Sequence, residues 1–306
     1  MDMIPSMRLP LERLLVFLWS ILPSVLCANS EVRMWRLTDG STLQAEIASV
    51  DEPNARMVLR TQAGEEKSVS LDALEKTDRA WVLEWIEMNE ALAAKVGELG
   101  GRLEHFPGKG EKFQTGFHVF HPAGNVDPAA PRPLLILFDP SGLPMRYLLR
   151  HIEAANETKM TLVTCDYFSN RMLVEEGRER FTELFPLIAA AVPHDPKKIF
   201  LGGTSGGALR AFVLSAQCPW AKVAGIYSNG GWLGGAEFKD EPFPAGRICM
   251  VNGDKDHAAQ AYLDEDMRVL HSRGCLIGLF AFEGGHQIPP PPVQAKAFRW
   301  LLGAFD

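Results

Sequence analysis

The chain has 306 residues, a formal net charge of −7, 46% hydrophobic and 23% charged residues. That is the composition of an ordinary globular protein, long enough for about two domains with a sizeable core. The acidic balance, with no basic run beyond short pairs, argues against a nucleic-acid partner and against attraction to an anionic membrane.

The first stretch differs from the rest. Arg8 and Arg13 precede an uncharged run that opens with Leu14–Leu22 and lasts until Glu31. A basic lead, a short apolar run and small residues after it describe a secretory signal peptide over residues 1–30, and the run is short for a membrane span. Val25-Leu26-Cys27 and Ala28-Asn29-Ser30 both offer a cleavage site, while the bulky Leu26 disfavours a lipoprotein cysteine at Cys27. The expectation is export to the periplasm or beyond, with no membrane association past the leader.

Residues 31–95 read as a first unit. Val32–Leu37, Leu43–Val50, Met57–Thr61 and Lys67–Leu71 are short strand patterns separated by turn signals such as Thr38-Asp39-Gly40 and Ala63-Gly64-Glu65, which suggests a small barrel. From about Asp72 to Lys95 the period changes: Leu74, Trp81, Trp85, Met88 and Leu92 recur at helical spacing. The stretch resembles the SH3-like module called Sla1 homology domain 1, through Arg33, Trp35, Thr38-Asp39-Gly40, Ala45-Glu46, Val58-Leu59, Val69-Ser70-Leu71 and Leu74 to Asp78. The resemblance spans roughly fifty residues and implies a protein-binding role, with a protein or envelope component as partner; a structural cap on the second domain is the other reading.

Residues 96–112, rich in glycine and charge, read as a linker. Phe113–His121 alternates as an edge strand or hairpin, and Pro122–Pro133 as a loop. Beyond it, near-continuous apolar strands (Leu134–Phe138, Thr161–Cys165, Ile199–Leu201, Val223–Tyr227, Ile248–Val251, Leu276–Phe282) alternate with helical patterns to the C-terminus. Such alternation specifies a mostly parallel sheet covered by helices on both faces, an α/β domain over 113–306. Of Cys165, Cys218, Cys249 and Cys275, the cysteines Cys165 and Cys249 sit in apolar strand patterns and read as buried free thiols, and the count is uninformative about disulfides; no C-x-x-C and no His/Cys spacing suggests zinc, so neither metal nor cofactor is expected.

The chemistry centres on Gly203-Thr204-Ser205-Gly206-Gly207, a G-x-S-x-G pattern between a strand and a helix. A serine on such a turn projects its hydroxyl at a helix N-terminus, and the N–H of Gly206 can stabilise an oxyanion. A serine hydroxyl needs a base, and the base needs an orienting group. Asp256 follows one strand and His286, in Glu283-Gly284-Gly285-His286, follows the last, giving the chain order Ser, acid, His. Asp254 competes with Asp256; His257 and His194 are weaker candidates for the base. The second oxyanion donor is sought in Asp139-Pro140-Ser141-Gly142. Pro140 has no N–H, which leaves Ser141, with Gly142 behind it. Tyr167, Asn170 and Asn229 to Trp232 are candidate cleft residues, the last group equally a plain turn.

From about Pro133 onward the chain resembles the α/β-hydrolases, particularly secreted esterase and polyhydroxyalkanoate-depolymerase-like members. The resemblance rests on His194-Asp195-Pro196-Lys197-Lys198-Ile199, Gly203 to Ala208, Gly253-Asp254-Lys255-Asp256 and Glu283-Gly284-Gly285-His286. It implies Ser205 as nucleophile, His286 as general base and then acid, and Asp256 as its orienter, acting on a small-molecule or polymer-borne ester. A serine peptidase of the same fold and a non-catalytic binding protein are the alternatives.

Overall fold

In the five-residue strand pattern Leu134–Phe138, alternate side chains go to opposite sides. Leu134, Ile136 and Phe138 enter one apolar cluster, and Leu135 and Leu137 another. This is the period of two of a strand buried on both faces, and it fixes the architecture of the second half. The computed structural model describes residues 32–61, 63–108, 110–124, 130–234 and 246–304; the leader expected at 1–30 lies outside them. No helix among the described residues is long and apolar enough to cross a membrane.

The large sheet has eight strands: β5 (Arg102–Phe106), β6 (Phe117–His121), β7 (Arg132–Phe138), β8 (Thr161–Cys165), β9 (His194–Thr204), β10 (Gly225–Asn229), β11 (Arg247–Gly253) and β12 (Leu276–Phe282), in the spatial order β12-β11-β10-β9-β7-β8-β6-β5. The pairs from β12 through to β8 are parallel, whereas β6 runs antiparallel to both β8 and β5.

Helices α4 (Val174–Ala191), α5 (Gly206–Gln217) and α6 (His257–Ser272) cover one face, where Phe181, Phe212 and Leu270 join the core. The other face takes α2 (Pro144–Leu149), α3 (Ile152–Thr158) and α7 (Pro291–Leu301), through Leu148, Ile152 and Phe298. Among the described residues, Cys165, Cys218, Cys249 and Cys275 are buried in the interior.

The N-terminal unit is an antiparallel meander of β1 (Arg33–Arg36), β2 (Thr42–Asp51), β3 (Arg56–Thr61) and β4 (Glu66–Ser70), closed over by α1 (Lys76–Glu98). Trp35 lies at its centre and donates its indole N–H to the Ala45 carbonyl at 2.8 Å. The Arg33 guanidinium lies over the edge-to-face pair of Trp35 and Trp81, 4.7 and 4.5 Å from their centroids, and pairs with Asp78. The helix belongs to both units. Its first half gives Val82, Trp85 and Ile86 to the small core, and its last turns give Leu92 and Val96 to the large one.

Two expectations are corrected. The stretch 96–112 is not a linker throughout, because Arg102–Phe106 is the outermost strand of the large sheet, with Phe106 stacked on Phe117 at 5.0 Å. Its flanking glycines hide a strand whose apolar residues are only two. Of the two readings of Phe113–His121, the edge strand fails, since Phe117–His121 lies inside the sheet, while it does pair antiparallel with the preceding strand β5.

Candidate active site

Strand β9 ends at Thr204, and Ser205 follows with φ 54° and ψ −122°. A positive φ at a residue with a side chain costs about 1–3 kcal/mol and persists only where the surroundings impose it. They do so here. The Ser205 N–H donates to the Asn229 carbonyl at 2.9 Å. A Cβ on Gly203 would stand 2.4 Å from the Gly207 carbonyl carbon, and one on Gly207 would stand 2.0 Å from the Phe138 oxygen. Both glycines of the motif are therefore demanded by close backbone approach, and the turn sets the Ser205 side chain at the start of α5.

Asp256 caps α6. Its Oδ1 accepts from the Ala259 N–H at 3.1 Å, and its Oδ2 lies 2.8 Å from His286 Nδ1. A carboxylate oxygen accepts, so in this contact His286 donates through Nδ1–H. The Asp256 side chain is 1% exposed and the His286 ring 40% exposed: the acid is sealed in while the base opens outward.

The two loops are knitted together. Asp254 accepts from the Gly284 N–H at 2.9 Å, and the Lys255 N–H donates to the Gly284 carbonyl at 2.8 Å. Asp254, the competing acid, thus holds the histidine loop through its backbone. Behind the pair lies Gly230, where a Cβ would stand 3.0 Å from Asp256 Oδ2 and 3.1 Å from His286 Nδ1.

Ser205 and His286 line the same cleft of about 490 Å³, with Ser141, Asn170, Arg146 and Arg150 on its walls. No hydrogen bond joins the serine hydroxyl directly to the imidazole; such bonds often close only when substrate docks. Thr204 and Tyr147 also line the cleft, their hydroxyls 2.7 Å apart, and the buried Asn229 Nδ2 donates to Thr204 Oγ1 at 2.9 Å.

The remaining expected residues divide. The Ser141 N–H donates to Asp139 Oδ1 at 3.1 Å, and Asp139 also takes the Leu143 N–H. The amide assigned to an oxyanion is therefore already committed, because a buried carboxylate, its pKa raised by desolvation, draws in the donors of its own loop. Asn170 does reach the cleft: its side-chain amide presses on Gly206, where a Cβ would stand 2.0 Å from Oδ1. Gly142, Tyr167, Asn229 and Trp232 do not line it. Gly142 turns the loop at φ 75°. The Tyr167 hydroxyl donates to Glu46 at 2.9 Å, Asn229 is buried under the floor, and Trp232 stacks on Tyr262 at 5.6 Å. Arg146 and Arg150 carried no sequence signal, since an i, i+4 pair of cations usually marks a solvated helix face. One group among the described residues could converge on a metal ion, His105, His118 and Asp166, and it stands apart from this cleft.

Strand order, the single reversed strand β6 and the strand–serine–helix turn together define the α/β-hydrolase fold. No family model matches the chain, and no curated protein matches it by sequence. Solved structures do match. The esterase LipW from Mycobacterium marinum superposes with a TM-score of 0.58 at 16% identity, over 72% of this chain and 87% of that one. An esterase from the archaeon Pyrobaculum calidifontis gives 0.53 at 13% identity, over 72% and 92%. Thermogutta terrifontis esterase 2, phosphonylated by cyclosarin, gives 0.52 at 15% identity, over 66% and 95%.

Proposed function

We propose that the protein is an exported serine hydrolase that cleaves a carboxylic ester through an acyl-enzyme. One observation carries this reading: an aspartate-bound imidazole and a serine on a strained turn open on one cleft. The Ser205 hydroxyl attacks the ester carbonyl carbon while His286 Nε2 takes its proton. The tetrahedral oxyanion is held by the Gly206 N–H and the Asn170 side-chain amide, replacing the donor that Asp139 occupies. Collapse breaks the bond to the alcohol, which leaves with the proton from His286. Water then repeats the sequence on the acyl group and restores the serine. Asp256 keeps the imidazole in the required tautomer and stabilises its cationic form.

Arg146 and Arg150 favour an ester bearing an anionic group on the side that meets them. The N-terminal sheet is read as an SH3-like module for a protein or envelope partner, and residues 1–30 as its export leader.

The test is hydrolysis of p-nitrophenyl, feruloyl, acetyl-sugar and polyester substrates, together with labelling by a fluorophosphonate. Turnover and labelling that both vanish in Ser205→Ala support the assignment. Labelling that persists in that variant places the nucleophile elsewhere.

A further inference from the structure

The opposite end of the large sheet holds a second gathering of imidazole and carboxylate. His105 of β5 and His118 of β6 are direct partners across the antiparallel ladder, and their rings stack at 4.1 Å. Asp166, immediately after β8, meets both: Oδ2 is 3.0 Å from His105 Nε2, and Oδ1 is 3.2 Å from His118 Nε2. The side chains of His118, Asp166 and His105 are 1%, 5% and 11% exposed, so water does not solvate them freely.

Hydrogen bonding alone leaves this cluster incomplete. The contact of His105 with Asp166 is a hydrogen bond. Neither ring nitrogen of His118 nor Oδ1 of Asp166 has such a partner, although two of these atoms are only 3.2 Å apart. A buried polar atom left without a partner is destabilising. The backbone makes room for the arrangement, since a Cβ on Gly116 would stand 2.2 Å from Asp166 Oδ2.

The spacing suits a cation. Zinc binds imidazole nitrogen and carboxylate oxygen at about 2.0–2.2 Å, which in a tetrahedral shell sets ligand atoms roughly 3.3 Å apart. The three residues present their ligand atoms within 4.8 Å of one another, and imidazole with carboxylate is a donor set for zinc-like metals over magnesium or calcium. A second carboxylate lies close by. Glu46, from the N-terminal sheet, is also buried, accepts from the Tyr167 hydroxyl at 2.9 Å, and has Arg60 at 3.5 Å as its cationic partner.

We propose that His105, His118 and Asp166 bind one divalent transition-metal ion of the zinc type, fastening β5 and β6 to the loop after β8. Because Tyr167 follows Asp166 and reaches Glu46, the ion would also brace the N-terminal sheet against the large one. The fourth position is left for solvent. This site goes beyond the proposed hydrolysis and does not depend on it.

The experiment uses the full chain, stripped with a chelator and then titrated with Zn²⁺ and, separately, with Co²⁺. One Zn²⁺ per chain should bind. The melting temperature should rise by about 5–10 °C at a hundredfold excess over Kd, and Co²⁺ should give the intense visible bands of a four-coordinate ion. His118→Asn and Asp166→Asn should lose stoichiometric binding, while His271→Ala, at an exposed helix end, should keep it. Folded wild-type protein that neither binds Zn²⁺ nor gives the cobalt bands overturns the proposal, with no variant needed. Binding by His118→Asn equal to that of wild type overturns it as well. Neither readout passes through ester cleavage, so failure here and failure of the hydrolase assignment are separable.

Discussion

Among the described residues the large sheet carries two meetings of aspartate and histidine, and they differ in how far they open to solvent. At one, Asp256 is sealed while the His286 ring is 40% exposed toward a cleft that also holds Ser205. At the other, His118 and Asp166 are both nearly inaccessible and a second imidazole is stacked on the first. A single imidazole at the boundary between protein and solvent can take up and release a proton at each turnover. Two imidazoles packed around one carboxylate, cut off from solvent, have no substrate to exchange protons with, and their lone pairs suit a cation. Exposure, more than residue type, separates the two proposed roles.

Variants test this contrast, beginning with the largest effect. Ser205→Ala should lower kcat by about 10⁶-fold, and Asp256→Asn by about 10⁴-fold, because an asparagine leaves the imidazole in the wrong tautomer. Asparagine caps helices as well as aspartate does, so Asp256→Asn should barely move the melting temperature. Asp166→Asn removes the buried carboxylate that His105 and His118 meet, losing a hydrogen bond to a charged group worth about 1.5–3 kcal/mol, and should lower the melting temperature by roughly 5 °C. Equal melting temperatures for the two variants would erase the distinction. Calorimetry on both, beside a rate assay, decides it.

Asn170→Ala should reduce kcat by about 10²–10³-fold with little change in KM, the signature of a lost oxyanion donor. A change confined to KM would make Asn170 a wall of the cleft only. Arg150→Gln should raise KM for an acidic ester by about tenfold while sparing a neutral one, and added salt should shrink that difference.

The smallest effect is one of acidity. His151, buried against Tyr147, and His121 are both held at about 4, below their ordinary 6.5, mainly by burial. Between those values the unfolded chain binds protons that the folded chain refuses, so stability rises with pH across this window and falls as acid is added. The melting temperature should therefore decline steadily from about pH 7 to about pH 4; a flat profile there would mean that both rings are solvated.

The cleft end was largely legible in the sequence, and the other end was not. Ser205 was marked by Gly203 and Gly207, which only a tight strand–helix turn requires. The pairing of Asp256 with His286 followed from their positions after strands that share a rim. Nothing local marks His105, His118 and Asp166. The first and last are 61 positions apart, and only the register of an antiparallel ladder brings them together, through a strand hidden between glycines. Ser141 failed for another reason. The motif counted the available N–H groups but not the appetite of Asp139 for them, which depends on burial and is invisible in a string of residues.

Helix α1 carries a practical consequence. Because Trp85 and Ile86 complete one interior while Leu92 and Val96 complete the other, no cut along this rod yields two sound halves. A truncated chain starting after Gly97 strips the hydrolase half of part of its own packing, and one ending at Ala80 leaves the meander without its lid. Melting of the whole chain should accordingly be a single cooperative step, and any attempt to graft the front unit onto another protein has to carry the entire rod along.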